Sequence, residues 1–141
     1  MATFVLFDAF IEDVAEGVHN LASGALVFAL CSAANAPDAA ADGQLSDITQ
    51  ISYTNLSTRA ITTTSSSQTA GLYKLVLTDL VLSASGGSVA AFRYLVVYND
   101  TATNDELIGY LDYGSDLTLA SGESLTIDFD GTNGILQLSE A

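Results

Sequence analysis

Apolar positions change rhythm once along this chain, from helical spacing to alternation. Phe4, Phe7, Phe10, Ile11, Val14 and Ala15 recur every three or four residues, with Asp8, Glu12, Asp13 and Glu16 between them. That spacing predicts one amphipathic helix in residues 1–17, ended by Gly17. Its acidic residues are spread along it instead of gathering at the N-terminal end, where the helix dipole favours them. Packing must therefore hold it, against this chain or a neighbour.

The rest of the chain reads as strands and turns. Ala25–Cys31 is an apolar run, predicted as a buried strand. Ala33–Gly43 is an Ala-rich loop with the only proline, Pro37, and with Asp38 and Asp42. Ile48–Tyr53 fits a strand or an ordered connection. Arg59–Ala70, RAITTTSSSQTA, fits an edge strand or a surface loop. Leu72–Ser83 is the next strand, broken by Ser85-Gly86-Gly87-Ser88. Val89–Asn99, Leu107–Tyr113, Leu117–Leu119 and Ser124–Phe129 follow. Asn133-Gly134 predicts a hairpin turn of type I′, which needs positive φ at both central residues. It leads into a last strand, Ile135–Leu138. Short strands separated by turn chemistry predict a mainly β chain, an antiparallel β-sandwich or jelly-roll-like fold. The expected organisation is a single domain over residues 1–141, with residues 1–17 as an N-terminal helix or arm and 18–141 as the β-rich body.

The best-patterned stretch is FRYLVVYNDTATNDELIGYLDYG, Phe92–Gly114. It predicts two paired strands, Phe92–Asn99 and Leu107–Tyr113, around a polar loop. Alternation puts Phe92, Tyr94 and Tyr98 on one face, assigned to the core. The loop tip is left free to touch a partner. Arg93 lies inside the first strand, where its stem can follow the sheet and its fork can pair a carboxylate across strands or across a subunit boundary.

Composition narrows the function. Hydrophobic residues make up 49% of the 141, enough for a globular core. Seventeen acidic residues face three basic ones, Arg59, Lys74 and Arg93, for a net charge of −14. Such a surface repels phosphate, which argues against direct nucleic-acid binding and against anionic membranes. Cys31 stands alone, so no intrachain disulfide forms, and its apolar setting suits a small buried side chain. His19 is the only histidine, which removes a His/Cys metal cluster. No G-x-S-x-G elbow supports a triad built on it. Gly86-Gly87 lacks the lysine of a phosphate cradle. DFDGTNG, Asp128–Gly134, and NDTATNDE, Asn99–Glu106, are rich in oxygen ligands, yet Asn and Asp favour turns for local reasons and the turn reading outweighs calcium. A carboxylate-pair enzyme is the weakest reading, with no tryptophan present to stack on a sugar. Asn55-Leu56-Ser57 and Asn99-Asp100-Thr101 match the glycosylation triplet; they are expected to be chance matches, since MATFVLFDAFIEDVAEG reads without the basic leader of a signal peptide. No apolar run reaches transmembrane length.

The chain from Phe92 onward resembles a family of small structural proteins of tailed bacteriophages and prophages. The residues that carry the likeness are Phe92-Arg93-Tyr94, Tyr98-Asn99-Asp100-Thr101, Leu107-Ile108-Gly109, Asp112-Tyr113-Gly114, then Gly122-Glu123 with an alternating strand and a final hairpin. The opening F-x-x-F segment is similar to the same family. Leu111 departs from the pattern, standing where the family has an aromatic residue, commonly Trp. The resemblance implies a non-enzymatic virion protein without catalytic residues, cofactor or metal, assembled in the host cytoplasm and placed on the capsid surface. It implies a capsid decoration, or cement, protein that binds the major capsid protein as a homo-oligomer, with a trimer favoured. The expected contact residues are Phe4, Phe7, Phe10 and Ile11 on the N-terminal arm, and Arg93, Asp100, Asn104 and Asp105 on the ribbon. Two other readings compete. One is a tail, fibre or head-fibre component. The other is a host-surface or carbohydrate-binding module using Tyr94, Tyr98, Tyr110 and Tyr113.

Overall fold

Three strands are apolar on both faces over all, most or the first half of their length, and they form the middle of the fold. These are β2 (Leu26–Cys31), β7 (Phe92–Asn99) and β8 (Leu107–Leu117). A strand buried on one face alternates; a strand buried on both reads as a continuous apolar run, as LVFALC and YLVVY do. The structure, a computed structural model, describes residues 3–140. In it the chain is mainly β and antiparallel, with one short α-helix.

The central strands belong to a five-stranded sheet in the order β1 (Phe4–Leu6), β8, β7, β2, β3 (Ala60–Ile61). One face packs on a second layer. That layer holds a three-stranded sheet, β10 (Leu136–Ser139), β5 (Leu72–Leu77) and β4 (Thr63–Thr69), and a two-stranded ribbon, β6 (Leu80–Ser83) with β9 (Ser124–Ile127). Phe28, Leu30, Leu75, Leu82, Val97 and Ile108 fill the space between the layers of this sandwich. The opposite face buries Phe7, Ala29, Cys31, Val96, Tyr98 and Leu107 under Leu45 and Ile48. The helix α1 (Asp8–Ala15) joins the two cores: Phe7 at its start enters the smaller one and Phe10 the larger.

Several elements differ from the sequence expectation. The helix begins four residues later than its periodicity predicts, because Phe4, Val5 and Leu6 pair with Leu111, Tyr110 and Gly109. Spacing of three residues serves Phe4, Phe7 and Phe10 as well in a strand followed by a helix. Leu72–Ser83 is two strands, since Thr78-Asp79 breaks it and the Asp79 carboxylate accepts the Phe129 N–H at 2.8 Å. β8 runs on to Leu117, so Leu117–Leu119 is not a separate strand. The β7–β8 register breaks between Phe92 and Tyr94. Phe92 therefore joins Leu95 and Val97 in the larger core, while Tyr94, Val96 and Tyr98 face the smaller one.

The hairpin turns also trade places. Asn133-Gly134 does not join paired strands, because β9 and β10 lie in different sheets. Asp130 organises this turn by accepting the N–H groups of Thr132 and Asn133, and Gly134 is needed because a Cβ there would strike the Leu75 backbone. The two-residue turn with positive φ at both positions is Ala70-Gly71, φ 52° and 81°, between the paired residues Thr69 and Leu72.

Two substitutions test this account. Alanine has no side chain to stabilise the left-handed region, so Ala70→Asn should stabilise by about 0.5–1 kcal/mol and raise the melting temperature by about 2 °C. Gly109 sits where an added Cβ would lie 2.5 Å from the Phe4 ring and 2.6 Å from the Val5 carbonyl oxygen. Gly109→Ala should push β1 off the sheet and destabilise by about 1–3 kcal/mol in a denaturant melt.

Candidate interaction surface

The expected arm residues are mostly interior. Phe7 and Phe10 are fully buried in this chain's own cores, Phe7 against Tyr110 with ring centroids 5.5 Å apart and Phe10 against His19 at 5.2 Å. Phe4 is half-buried beside Gly109. Only Ile11 of the four offers broad surface, at 58% exposure. The segment is therefore an integral strand and helix and not an arm extended toward a neighbour. Its backbone is claimed by β8 and by the Ala39 carbonyl, which accepts the Asp8 N–H.

The ribbon pairs as expected, but its tip is braced on both sides. Buried Asn99 accepts the Thr101 N–H through its side-chain oxygen and donates to His19 Nδ1 at 3.1 Å. Ala25 donates to Thr101 Oγ1, and Asp100 donates back to the Ala25 carbonyl. From the other side, Leu45 donates to the Asp105 carbonyl and Leu107 to that of Gly43. Asp100 and Asn104 are exposed, while Asp105 is half-buried at φ 53°. Arg93 forms a two-pronged pair with Asp112 across the strands, Nε to Oδ1 at 2.7 Å and Nη2 to Oδ2 at 2.9 Å. The guanidinium holds the Asp112 carboxyl below its usual range. Arg93 is thus engaged within this chain.

The four tyrosines weighed as a sugar-binding face do not form one. Tyr94 and Tyr110 meet edge to face at 6.0 Å, and Tyr98 is buried beside them. Tyr113 lies in a separate notch with Leu95, Leu111 and Leu125.

Carboxylates here are mostly turn clamps. Nine of them accept backbone N–H groups, among them Asp38, Asp42 and Asp47 in the loop that follows β2. The N–H of Gly43, then that of Gln44, holds Asp47 below the ordinary 3.8. Asn133 does the same for Asp130. Burial pushes Glu106 up, but the Asn104 side chain and backbone N–H groups outweigh it and leave it lowered. Among the described residues, no three His, Cys, Asp or Glu side chains are grouped to hold a metal ion. No helix among them is long and apolar enough to cross a membrane. Burial raises the Cys31 thiol to about 11, so it is poorly reactive.

A different surface emerges from what the carboxylates leave bare. No Asp or Glu occurs from Ile48 to Thr78, thirty-one residues that carry two of the three basic side chains, Arg59 and Lys74. This segment builds one side of the sandwich. Ala60–Ile61 is the edge of the five-stranded sheet, and the same extended chain crosses to become β4, the edge of the three-stranded one. Arg59 stacks 3.6 Å over the Tyr53 ring and donates to the Phe28 carbonyl. It lines a cleft of about 480 Å³ with Val27, Ser57, Tyr98 and Asp100, the last a carboxylate contributed from outside the segment. Tyr73, Leu75 and Leu77 point inward from β5, which turns Leu72, Lys74 and Val76 outward beside Ser65, Ser67 and Thr69. The long acid-free run was the available sequence signal for this side; periodicity alone does not register it.

Comparison of the chain with protein-family models, with curated proteins and with solved structures found no match.

His19 supplies a pH test of the braced ribbon. Its Nδ1 accepts from Asn99 and its Nε2 is buried without a partner, so burial lowers its pKa from 6.5 against the opposing pull of Asp13 and Glu106. The unfolded chain then takes up the proton first, and stability is lost as pH falls from 6.5 toward the folded value. Melts from about pH 7.5 to about pH 5 should show wild type losing stability relative to His19→Gln, with a parallel pair of curves refuting the buried neutral imidazole.

Proposed function

We propose that this chain is a non-enzymatic structural protein of a tailed-phage virion, a capsid decoration protein that binds the major capsid protein and stabilises the head. The motifs from Phe92 to Glu123 support the phage reading, through the resemblance they carry. The observation that carries the docking role is the side of the sandwich built by the acid-free segment 48–78, which Asp100, Asp130 and Glu140 approach from outside it. Outside residues 48–78, seventeen carboxylates accompany one cation, Arg93. A protein so charged has few places where another protein can approach without charge repulsion or desolvation of carboxylates. The outward face of β4 and β5, with the Arg59 cleft beside it, is such a place, and it does not use the free edge of β4. Leu72 and Val76 give modest apolar contact beside the small hydroxyls of Ser65, Ser67 and Thr69, and a repeating lattice multiplies modest contacts.

The test is binding of purified protein to capsids that lack it. Saturation at on the order of hundreds of copies per particle, with heads that resist higher temperature, is the expected result. Binding at about a dozen copies or fewer would favour a fibre or head-fibre component, and no binding at micromolar concentration would remove the decoration reading and move the protein to a tail or receptor-binding role.

A further inference from the structure

We propose that β4 pairs edge to edge with β4 of a second copy, antiparallel about a two-fold axis, so that two three-stranded sheets become one of six strands. This does not depend on the capsid reading. A free strand edge presents unpaired N–H and C=O groups, and soluble proteins guard such edges by shortness, charge, proline or a covering segment. Among the described residues the other outer strands follow that rule. β1, β3, β6, β9 and β10 have three, two, four, four and four residues. β8 extends past β1, but there it carries Asp112 and Asp116. β4 is the exception: seven residues, TTSSSQT, without charge or proline, and its last three residues are exposed. Its only irregularity is a register shift between Thr63 and Ser65.

Charge selects the occupant. A basic partner would be drawn to the acidic surfaces of this molecule, not to β4. An acidic partner would be repelled by them unless it met the acid-free side with an acid-free side of its own. A second copy does that by symmetry. The two Lys74 side chains would sit three strand spacings apart, about 14 Å, beyond a Debye length of about 8 Å at physiological salt. Glu140, near Gly71, lies at the turn end of the hairpin. Antiparallel pairing sends the two Glu140 residues to opposite ends of the joint, about 20 Å apart over seven residues. The two-fold pair is a dimer, in place of the trimer that the resemblance implied.

Cysteine cross-linking tests the geometry, with Cys31 buried and raised to about 11, so that it does not interfere. Single variants Ser65→Cys, Ser66→Cys, Ser67→Cys and Gln68→Cys are oxidised under mild conditions beside a control at an exposed position of β6, Val81→Cys. At least one β4 variant should give a reducible dimer that grows no further, while the control stays monomeric. Sedimentation of the unmodified protein should show a dimer whose dissociation constant rises at least about tenfold in Ser65→Lys, with an unchanged circular dichroism spectrum. The proposal is overturned by a wild-type monomer at about 100 μM, by a dimer indifferent to Ser65→Lys, or by cross-linking of the control as readily as β4.

Discussion

A sheet whose central strands are apolar on both faces has to be covered twice. That requirement organises this molecule. β2, β7 and β8 could not stand with one face in water, since Ala29, Cys31, Val96, Tyr98 and Leu107 would be exposed on one side and Phe28, Leu30, Val97 and Ile108 on the other. At about 25 cal/mol per Å² of apolar surface, each cover contributes substantially. The second sheet layer supplies one cover. The N-terminal segment and the loop around Leu45 and Ile48 supply the other. Phe7 and Phe10 are the joint between them, which is why they have no freedom to serve as an external anchor.

The second constraint is electrostatic. Seventeen carboxylates cannot be paired by three cations. The fold meets this with backbone N–H groups, which turns have in excess because their residues leave the ladders. A carboxylate accepting such bonds is favoured in its charged form, as at Asp47 and Asp130. The same side chains that give the chain its acidity therefore define its loops. Asp116 holds the start of the Ala33 segment, Asp79 fixes the crossing to β6, and the Glu106 carboxylate clamps Asn104 in the ribbon tip, which backbone bonds tie to the Gly43–Leu45 strip. Arg93 has a cross-strand partner in Asp112, so even this cation reinforces the ribbon.

Strong apolar and alternating runs were legible: β2, the β7–β8 hairpin and β9 lie where apolar content or alternation places them. Misreadings fell where two patterns share one spacing. Phe4, Phe7 and Phe10 satisfy a helix and equally a strand that turns into one, and the choice is made by the open edge of β8. Asn133-Gly134 has the composition of a tight hairpin, yet tertiary contact with Leu75 decides the use of that glycine. Ala70-Gly71 makes the tight turn without the usual Asn or Asp, so local chemistry could not announce it. Phe92 changed faces because a register break lies between it and Tyr94, and alternation cannot count across such a break. For the surface, the informative signal was the distribution of acids along the chain, which hydrophobic periodicity does not measure.

These constraints meet at β4. A strand of Ser, Thr and Gln gains little from burial of its side chains, and its turn carries the strain of Ala70. Its place in the structure is held mainly by the ladder to β5, where Ser66 Oγ also meets the Tyr73 hydroxyl at 2.8 Å. A long uncharged edge of this kind would ordinarily promote indiscriminate pairing. The high negative charge on the rest of the molecule limits that, because an approaching copy is repelled unless it presents its own acid-free side. Acidity elsewhere and neutrality at β4 then act together: the first suppresses wrong orientations, and the second leaves one approach in which backbone groups on both edges become paired.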